Sequence, residues 1–324
     1  MRALISHGGK TLDDLTIGEV SDPVATADQV LVRVEAASVD HADVLIATGR
    51  YQINVPAPFT PGNNVAGRVV EVGAEVTEFA VGDRVHGMAF VGGFAELVAL
   101  PKDRLRASPS RLPAEVACLA GAPYRTAYDA LVSAARVRPG ETVAVLGASG
   151  AVGSAAVMIA KAIGARVIAC ASTPAKLAFV TQIGADEAVL TEIADFKERL
   201  KELCPGGVDV VLDMVGGDLS EPALRAVGYG GRFVVVGFAS GVPAKVPLNL
   251  PLLKGSTITG YEIAAFERRE PDTAAANRLA LENLLASGRV TPPITARFAL
   301  DDAVESMRHV SGRDKFGATI LQIG

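Results

Sequence analysis

Residues Val143–Ala155 read VAVLGASGAVGSA, an apolar run that leads into a glycine-rich segment. Apolar residues before Gly147 predict a strand, and small and apolar residues after Gly153 predict a helix. One glycine permits a tight turn, another lets a phosphate approach the backbone, and the last lets the helix pack against the sheet. The helix N-terminus presents N–H groups and a positive dipole end to a pyrophosphate, which favours a dinucleotide site over a merely structural turn. The candidate contacts are Gly147, Ser149, Gly150, Ala151, Val152 and Gly153.

The end of the next predicted strand favours NADPH over NADH. NAD sites commonly place Asp or Glu there, about twenty residues after the glycines, to bind the ribose 2′-hydroxyl. Here the segment ARVIACASTPAK, residues 165–176, contains no carboxylate. Ser172 can donate a hydrogen bond to a 2′-phosphate, and Lys176 can neutralise its charge. The alternative is that Ser172 caps the following helix, with Pro174 in its first turn, and that Lys176 is only solvated.

Strand and helix patterns divide the chain into three segments. Residues 1–119 contain strand patterns interrupted by Gly and Pro, with one short helix for which Asp40 is the candidate N-cap. In residues 120–259 strands alternate with helices, which predicts βαβ units and a parallel sheet. Residues 260–324 read as strand, helix and strand, and we expect them to return to the first domain. The predicted fold class is α/β, with two domains.

Composition limits the classes of partner. The chain has 324 residues and a formal net charge of -5, so nucleic acid is not expected as its main partner. No apolar run is long enough to span a bilayer, and the N-terminus lacks an apolar signal region. We therefore expect a cytoplasmic protein with no membrane partner. The three cysteines lie far apart in the sequence, which argues against a disulfide framework and a cysteine-rich metal site.

Motifs along the whole chain resemble one known family. AASVDHADVLIATGRY, PGNNVAGRVVEVG, VGDRV, GGFAEL, TAYDAL, VDVVLDMVGG, GGRFVVVGFASG and KFGATIL occur in family order around the glycine-rich turn. In this combination the chain resembles the zinc-independent medium-chain dehydrogenase/reductase superfamily, in its NADPH:quinone oxidoreductase (zeta-crystallin-like) branch. Each motif alone is of modest specificity, but the set is highly specific and covers essentially every residue.

The resemblance implies a two-domain architecture. A GroES-like β-rich catalytic domain would form from residues 1–119 and 260–324, and a Rossmann doubly wound NADPH-binding domain from residues 120–259. The active site would lie in the cleft between the domains. The resemblance also implies a homodimer or a dimer of dimers joined by edge strands of the Rossmann sheets. The candidate strand is STITGY, residues 256–261. The alternative is that this segment forms an internal strand of one subunit.

The same resemblance argues against a catalytic metal. Zinc-dependent relatives place Cys, His and Cys at three ligand positions, which by motif correspond to Asp40, Asn63 and Ala122 here. The Glu that follows the family's His corresponds to Asn64. Alanine cannot ligate zinc and an asparagine amide is a poor ligand for it, so we expect no metal. Nearby Asp43 is expected to act as an ion-pair or hydrogen-bonding partner within its domain.

The resemblance also supplies candidate catalytic residues. Tyr51 matches the family's cleft tyrosine, which would hydrogen-bond the substrate oxygen or border the nicotinamide; a packing role is the alternative. Asp40 stands where quinone reductases often have Asn, and a carboxylate can only accept where an amide also donates. Asn63 and Asn64 would present amide donors to the substrate, or simply stabilise the turn after Pro61.

Further cofactor contacts follow by matching motifs. Thr126 matches a threonine near the nicotinamide ribose. Arg313 stands where some quinone reductases present a basic residue to the 2′-phosphate, with a solvated loop cation as the alternative. The remaining candidates follow strand ends or lead back towards the cleft; they are Val215, Gly237, Phe238, Ala239, Asn249 and Leu250.

Together these features predict an enzyme that reduces a conjugated acceptor with NADPH. Without a Lewis acid, full charge on a simple ketone oxygen is poorly stabilised, whereas a quinone or an enone spreads that charge. An enoyl-thioester reductase resembling the acrylyl-CoA reductases is a second reading, for which Arg268 and Arg269 give the only hint of a basic mouth. A noncatalytic NADPH-binding sensor or scaffold protein is a third, since lens crystallins belong to this lineage.

Overall fold

The computed structural model describes residues 1–192 and 194–324. They form two compact units, of which one comprises Met1–Ala122 with Ile294–Gly324 and the other comprises Pro123–Pro293. The return to the first unit was predicted at residue 260 and lies at Ile294. Residues 260–293 belong to the second unit because they form hydrogen bonds within it. Tyr261 and Asn277 both donate to the buried Asp129 carboxylate, each at a distance of 2.7 Å.

The elements run along the chain as follows. The strands are β1 (Arg2–Ser6), β2 (Leu15–Glu19), β3 (Gln29–Ser38), β4 (Asn64–Val72), β5 (Arg84–Met88), β6 (Leu97–Pro101), β7 (Leu105–Ala107), β8 (Thr142–Leu146), β9 (Arg166–Ala171), β10 (Glu187–Leu190), β11 (Val208–Asp213), β12 (Val227–Val235), β13 (Thr257–Gly260), β14 (Ile294–Ala299) and β15 (Ala318–Gln322). The α-helices are α1 (His41–Ala47), α2 (Ala114–Ala117), α3 (Ala122–Asp129), α4 (Ala151–Ile163), α5 (Pro174–Gln182), α6 (Phe196–Leu203), α7 (Ser220–Ala226), α8 (Asn249–Lys254), α9 (Ile263–Arg269), α10 (Pro271–Ala286) and α11 (Ala303–Ser311). Short 3₁₀ turns cover Leu12–Asp14, Lys102–Arg104, Cys118–Ala120, Gly217–Leu219 and Leu300–Asp302, and a π-helical turn covers Ala130–Ala134. In the part of the chain that the structure describes, every helix is too short or too polar to traverse a bilayer.

The first unit is built on a mostly antiparallel sheet. Its strand order is β14-β15-β3-β4-β5-β7, with β6 also paired to β3, and β1 and β2 form a separate antiparallel pair. Val30, Val32 and Val34 lie at alternate positions of β3 and are buried in the core. On the other face Arg33 is exposed, whereas Leu31 is also buried. Strand β15 pairs with β3, so the end of the chain completes this sheet.

The second unit is a doubly wound parallel sheet. Its strand order is β10-β9-β8-β11-β12-β13, and every pair in it is parallel. Helices α4 to α8 connect successive strands, as parallel pairing demands. Strand β8, at the point where the order reverses, is fully buried. This topology confirms the predicted Rossmann-like sheet and directs attention to the carboxyl end of β8, where such folds bind ligands.

Candidate functional site

The glycine-rich turn follows β8 as predicted, and each glycine has its own structural reason. Gly147 has a φ of +73°, in the left-handed region that favours glycine. A Cβ on Gly153 would lie 2.2 Å from the carbonyl oxygen of Gly147, so only glycine lets α4 pack this close to the turn. A Cβ on Gly150 would meet one atom of the described residues within 4 Å, the Gly147 oxygen at 3.5 Å, so space is open beside it.

The N-terminus of α4 faces this open space without a side-chain cap. Gly150 is the N-cap residue, and glycine has no side chain with which to bond the first amide groups of the helix. Its carbonyl oxygen accepts the first helical hydrogen bond, from Ser154, at 2.8 Å. Ala151 and Val152 are half-buried in this first turn, and Ser149 is buried just before it. The arrangement fits a phosphate held by backbone N–H groups at the positive end of the helix dipole.

Ser172 and Lys176 lie together at the end of β9. The ammonium group of Lys176 donates to the Ser172 hydroxyl at 3.4 Å. Thr173, not Ser172, is the N-cap of α5, since its hydroxyl accepts the Lys176 backbone N–H at 3.3 Å. The alternative role of Ser172 as the helix cap is therefore wrong. Strand β9 also contacts the glycine-rich turn, because the Ala148 N–H donates to the Cys170 carbonyl at 3.0 Å.

A buried aspartate that the sequence analysis missed shapes the next loop. Asp213 ends β11, and its Oδ1 accepts the N–H groups of Val215 and Gly216 at 2.8 and 2.9 Å. Its other oxygen accepts the Ser220 hydroxyl. The carboxylate thus folds the chain back at the end of the strand and fixes Val215. The signal in the sequence is an acidic residue that ends an apolar strand directly before a turn rich in glycine.

The loop after β12 is bonded to the loop after β11. The N–H of Ala239 donates to the Met214 carbonyl at 3.0 Å. The Phe238 ring packs close to Gly216, because a Cβ on that glycine would lie 2.8 Å from Phe238 Cδ1. Phe238 is nevertheless 46% exposed. The structure therefore brings Val215, Gly237, Phe238 and Ala239 together at the carboxyl end of the sheet, as predicted for a ligand-binding edge.

Four other predicted cofactor contacts lie apart from these loops in the chain. Thr126 is half-buried on α3, and Asn249 is exposed at the first residue of α8. Leu250 packs in the hydrophobic core of the second unit, so its side chain has a structural role, and its contact with the cofactor stays a prediction. Arg313 is exposed after α11 in the first unit.

In the first unit, Asp40 and Asn64 form a buried hydrogen-bonded pair. Asp40 is the N-cap residue of α1, as predicted, and its Oδ2 accepts the Ser38 hydroxyl at 2.6 Å and Asn64 Nδ2 at 3.0 Å. Asn64 Nδ2 also donates to Ser38, and its Oδ1 accepts the Ala122 N–H. The amide nitrogen of Asn64 is therefore bonded inside the protein, and the side chain is fully buried. These bonds support its stabilising role, and its role as a substrate donor stays a prediction.

Asp43 is fully buried beneath this pair. Its two carboxylate oxygens accept the backbone N–H groups of Asp40 at 2.8 Å and of Asn63 at 3.0 Å, which confirms it as a hydrogen-bonding partner. Burial raises the pKa of Asp43 well above its ordinary value, and the nearby Asp40 carboxylate raises it further. Burial also raises the pKa of Asp40, although the Ser38 hydrogen bond and Lys315 oppose this. Among the described residues, no group of three or more His, Cys, Asp or Glu side chains is placed to hold a metal.

Asn63 differs from its neighbour because its amide protons face no protein acceptor among the described residues. Its Oδ1 accepts the Phe90 N–H at 3.0 Å, and its backbone oxygen accepts the Ala89 N–H at 2.6 Å. The bond to Oδ1 holds the side-chain amide by its oxygen, so Nδ2 points away from the Phe90 N–H. Within residues 1–192 and 194–324, no group accepts a hydrogen bond from this Nδ2. Asn63 is thus held by its oxygen and can donate to a ligand.

Tyr51 lies beside the same segment. Its N–H bonds to the Leu45 carbonyl at the end of α1, and its half-buried ring lies 6.3 Å from the ring of Phe90 at an interplanar angle of 52°. Tyr51, Asn63 and Phe90 thus form one connected group in the first unit. Asp40 and Asn64 support this region through α1 and the start of β4, and Phe90 was not identified from the sequence.

Known proteins are similar to this chain in both units. The model of the family described as "Alcohol dehydrogenase GroES-like domain" matches residues 26–110, and that described as "Zinc-binding dehydrogenase" matches residues 151–279. The chain is 35% identical over 311 residues to quinone oxidoreductase-like protein 2 of Bos taurus, covering 95% of this chain and 89% of the relative. It is 32% identical to the quinone oxidoreductase of Mus musculus, covering 94% and 92% of the two chains. Its fold is similar to that of the quinone oxidoreductase of Thermus thermophilus, which was also solved in complex with NADPH. The TM-score is 0.85 and the sequence identity is 32%, and the match covers 99% of this chain and 100% of that one.

Proposed function

Because the chain belongs to the quinone oxidoreductase family of the medium-chain dehydrogenase/reductase superfamily, we propose that it reduces quinones and other conjugated carbonyl compounds with NADPH. The observation that carries this proposal is the pairing of two features. One is a glycine-rich turn with Ser172 and Lys176 beside it in place of a carboxylate. The other is an acceptor region whose fixed donor is an asparagine amide, Asn63, and not a metal ligand set.

The second unit supplies the residues that hold the cofactor. The first amide groups of α4 bind the pyrophosphate, and Ser172 with Lys176 binds the 2′-phosphate. Thr126 and the loops that carry Val215, Gly237, Phe238 and Ala239 contact the rest of the molecule. The NADPH complex of the Thermus relative supports this choice of cofactor. When bound, NADPH supplies a hydride.

The first unit supplies the group that stabilises charge on the acceptor. As a conjugated carbonyl compound is reduced, negative charge develops on its oxygen, and a fixed donor aimed at that oxygen stabilises the transition state. Asn63 Nδ2 is this donor because Phe90 already holds the amide by its oxygen. Tyr51 borders the acceptor, and the proton that completes the product comes from Tyr51 or from water. Asp40 and Asn64 hold the start of α1 and of β4 in place.

The donor set at the ligand positions of zinc-dependent relatives supports a reaction without zinc. Ala122 has no ligating side chain, and its N–H is bonded to Asn64. The Asn63 oxygen, the only atom of that side chain that ligates readily, is occupied by the Phe90 N–H. Asp40 alone retains an ionisable oxygen ligand, which is too few for a zinc site.

An acceptor panel tests the proposal on chelator-treated protein. NADPH oxidation is followed with 1,4-naphthoquinone, but-3-en-2-one, crotonyl-CoA and cyclohexanone. We expect turnover of the quinone and the enone and almost none of the saturated ketone. Turnover of crotonyl-CoA alone would replace the proposal by an enoyl-thioester reductase. If none of the four acceptors supports NADPH oxidation, the protein would be an NADPH-binding protein without this activity.

We further propose that the protein assembles as a homodimer, or a dimer of dimers, through the edge of its parallel sheet. Strand β13 ends the strand order, so the alternative of an internal strand does not apply within the chain. Next to it, Tyr229, Leu252 and Leu253 are 89%, 80% and 73% exposed. An unpaired strand edge beside exposed apolar side chains suits pairing with a second copy.

A further inference from the structure

We infer that Phe90 is a specificity-determining residue, whose ring selects planar acceptors at the site proposed above. This inference rests on the proposed reduction of conjugated carbonyl compounds. It starts from the backbone. Phe90 has a φ of +66°, and in residues 1–192 and 194–324 Arg136 is the only other non-glycine residue with a positive φ. For a bulky side chain this conformation is an outlier, and such strain is retained where the surroundings impose it.

Hydrogen bonds on both sides impose the conformation of Phe90. Its N–H donates to Asn63 Oδ1, and the preceding Ala89 N–H donates to the Asn63 carbonyl. After it, the N–H groups of Gly92 and Gly93 donate to carbonyls of residues 60 and 62, at 2.7 and 2.9 Å. The bonds at residue 90 use only backbone atoms of that residue. A glycine there would make the same bonds without strain, so they do not explain why the residue carries a large ring.

The ring of Phe90 has a partner that remains accessible. It lies 6.3 Å from the ring of Tyr51, and both residues are half-buried, unlike aromatic residues of the core such as Phe94. The same Asn63 amide that fixes Phe90 carries the Nδ2 for which the described residues offer no acceptor. An aromatic pair and a hydrogen-bond donor are therefore connected through one residue.

This combination matches the chemistry of a planar cyclic acceptor. A quinone presents an aromatic-sized flat face for the two rings and a carbonyl oxygen for the Asn63 donor. A small acyclic enone presents the same carbonyl group but little face. The ring of Phe90 should therefore contribute to quinone binding and leave the reduction of a small enone nearly unaffected.

The test compares Phe90→Gly with Phe90→Tyr. Phe90→Gly keeps the backbone bonds and removes both the strain and the ring. We expect it to weaken the binding of 1,4-naphthoquinone, measured by calorimetry without NADPH, by roughly 2- to 10-fold. The ratio of kcat/KM for naphthoquinone to that for but-3-en-2-one should fall by a similar factor. Phe90→Tyr should restore both values, and the Tm of Phe90→Gly should equal or exceed that of the parent.

Arg136→Gly is the matched control. Arg136 is the other non-glycine residue with a positive φ among those described, and it lies in the second unit. This variant should leave naphthoquinone binding and the acceptor ratio unchanged. The role of Phe90 would be overturned if Phe90→Gly left the ratio of the two kcat/KM values unchanged, including by an equal fall of both. A lowered Tm of this variant, or a parent protein that does not bind naphthoquinone, would overturn it as well. If naphthoquinone binds and Phe90→Gly weakens it, but the parent reduces neither acceptor, the role of the ring stands and the proposed function fails.

Discussion

Two adjacent asparagines in this protein differ in their hydrogen bonds. The amide nitrogen of Asn64 donates inside the protein, to Ser38 and Asp40, whereas the amide protons of Asn63 face no acceptor among the described residues. The sequence alone does not distinguish the two, since residue type and position after Pro61 are nearly the same. What separates them is the hydrogen-bond network, which depends on Ser38, Ala122 and Phe90 from other parts of the chain.

Matched substitutions of these asparagines separate catalysis from stability. Asn63→Asp keeps an oxygen for the Phe90 N–H and removes the donor, so kcat for naphthoquinone should fall by about 10²- to 10³-fold while the protein still folds. Asn64→Asp removes the buried donations to Ser38 and Asp40 and adds a further carboxylate beside Asp40 and Asp43. It should lower the free energy of unfolding by about 1–3 kcal/mol or more. Steady-state kinetics and urea denaturation measure the two effects, and equal kinetic losses with equal stabilities would refute the distinction.

In the proposed cofactor site, we expect Lys176 to distinguish NADPH from NADH. Lys176→Ala removes the cation next to Ser172, so NADPH binding should weaken by about 1–3 kcal/mol, and NADH binding should change little. Lys201→Ala, at an exposed lysine of the same unit, is the control and should affect neither. Dissociation constants for both cofactors test this, and a parent protein that binds NADH as tightly as NADPH would disprove it.

In the turn between β8 and α4, Gly153 is needed for packing, and we expect Gly150 to leave room for the cofactor's phosphate. A Cβ on Gly153 would lie 2.2 Å from the Gly147 oxygen and 2.7 Å from Ala148 Cα, both backbone atoms. A Cβ on Gly150 makes only an ordinary contact at 3.5 Å. The two positions are six and three residues after Gly147, so the spacing alone does not show which glycine serves which purpose.

Alanine substitutions test this division. Gly153→Ala should lower the free energy of unfolding by about 1–3 kcal/mol, because backbone atoms must move. Gly150→Ala should leave stability nearly unchanged and weaken NADPH by about 10-fold or more, because the methyl group occupies space that the phosphate needs. Thermal melting and cofactor titration distinguish the variants. A stable Gly153→Ala protein, or a Gly150→Ala protein with full NADPH affinity, would contradict the assignment.

The elements that the sequence predicts well are those with strong local patterns. Strands β8 and β9 are continuous apolar runs, and α4 starts at a glycine motif, so their positions follow from short segments. The short helix α1 with Asp40 as its N-cap was found for the same reason. The boundary near residue 260 was misplaced because long-range bonds from Tyr261 and Asn277 to Asp129 decide it. Asp213 has a local signal, an acidic residue at the end of an apolar strand before glycines, whereas the role of Phe90 depends on contacts and a backbone angle that no local pattern encodes.

For the whole molecule, the exposed edge at β13 predicts self-association. The parent should have the mass of a dimer or tetramer by light scattering. Leu252→Glu combined with Leu253→Glu adds charge beside the edge and should reduce the mass to that of the next smaller species, a monomer or a dimer. Leu279→Glu is the control, at a leucine of α10 that is 52% exposed, and it should leave the mass unchanged. A monomeric parent, or a double variant with the parent's mass, would refute this interface.

The proposed reaction is the transfer of a hydride from NADPH to a conjugated acceptor. It can be followed with but-3-en-2-one and NADPH that carries deuterium at the transferable position of nicotinamide C4. We expect butanone with one deuterium on the carbon that was the terminal alkene carbon, seen by mass spectrometry and NMR, and no labelled cyclohexanol from cyclohexanone. Labelled cyclohexanol without labelled butanone would refute this reaction.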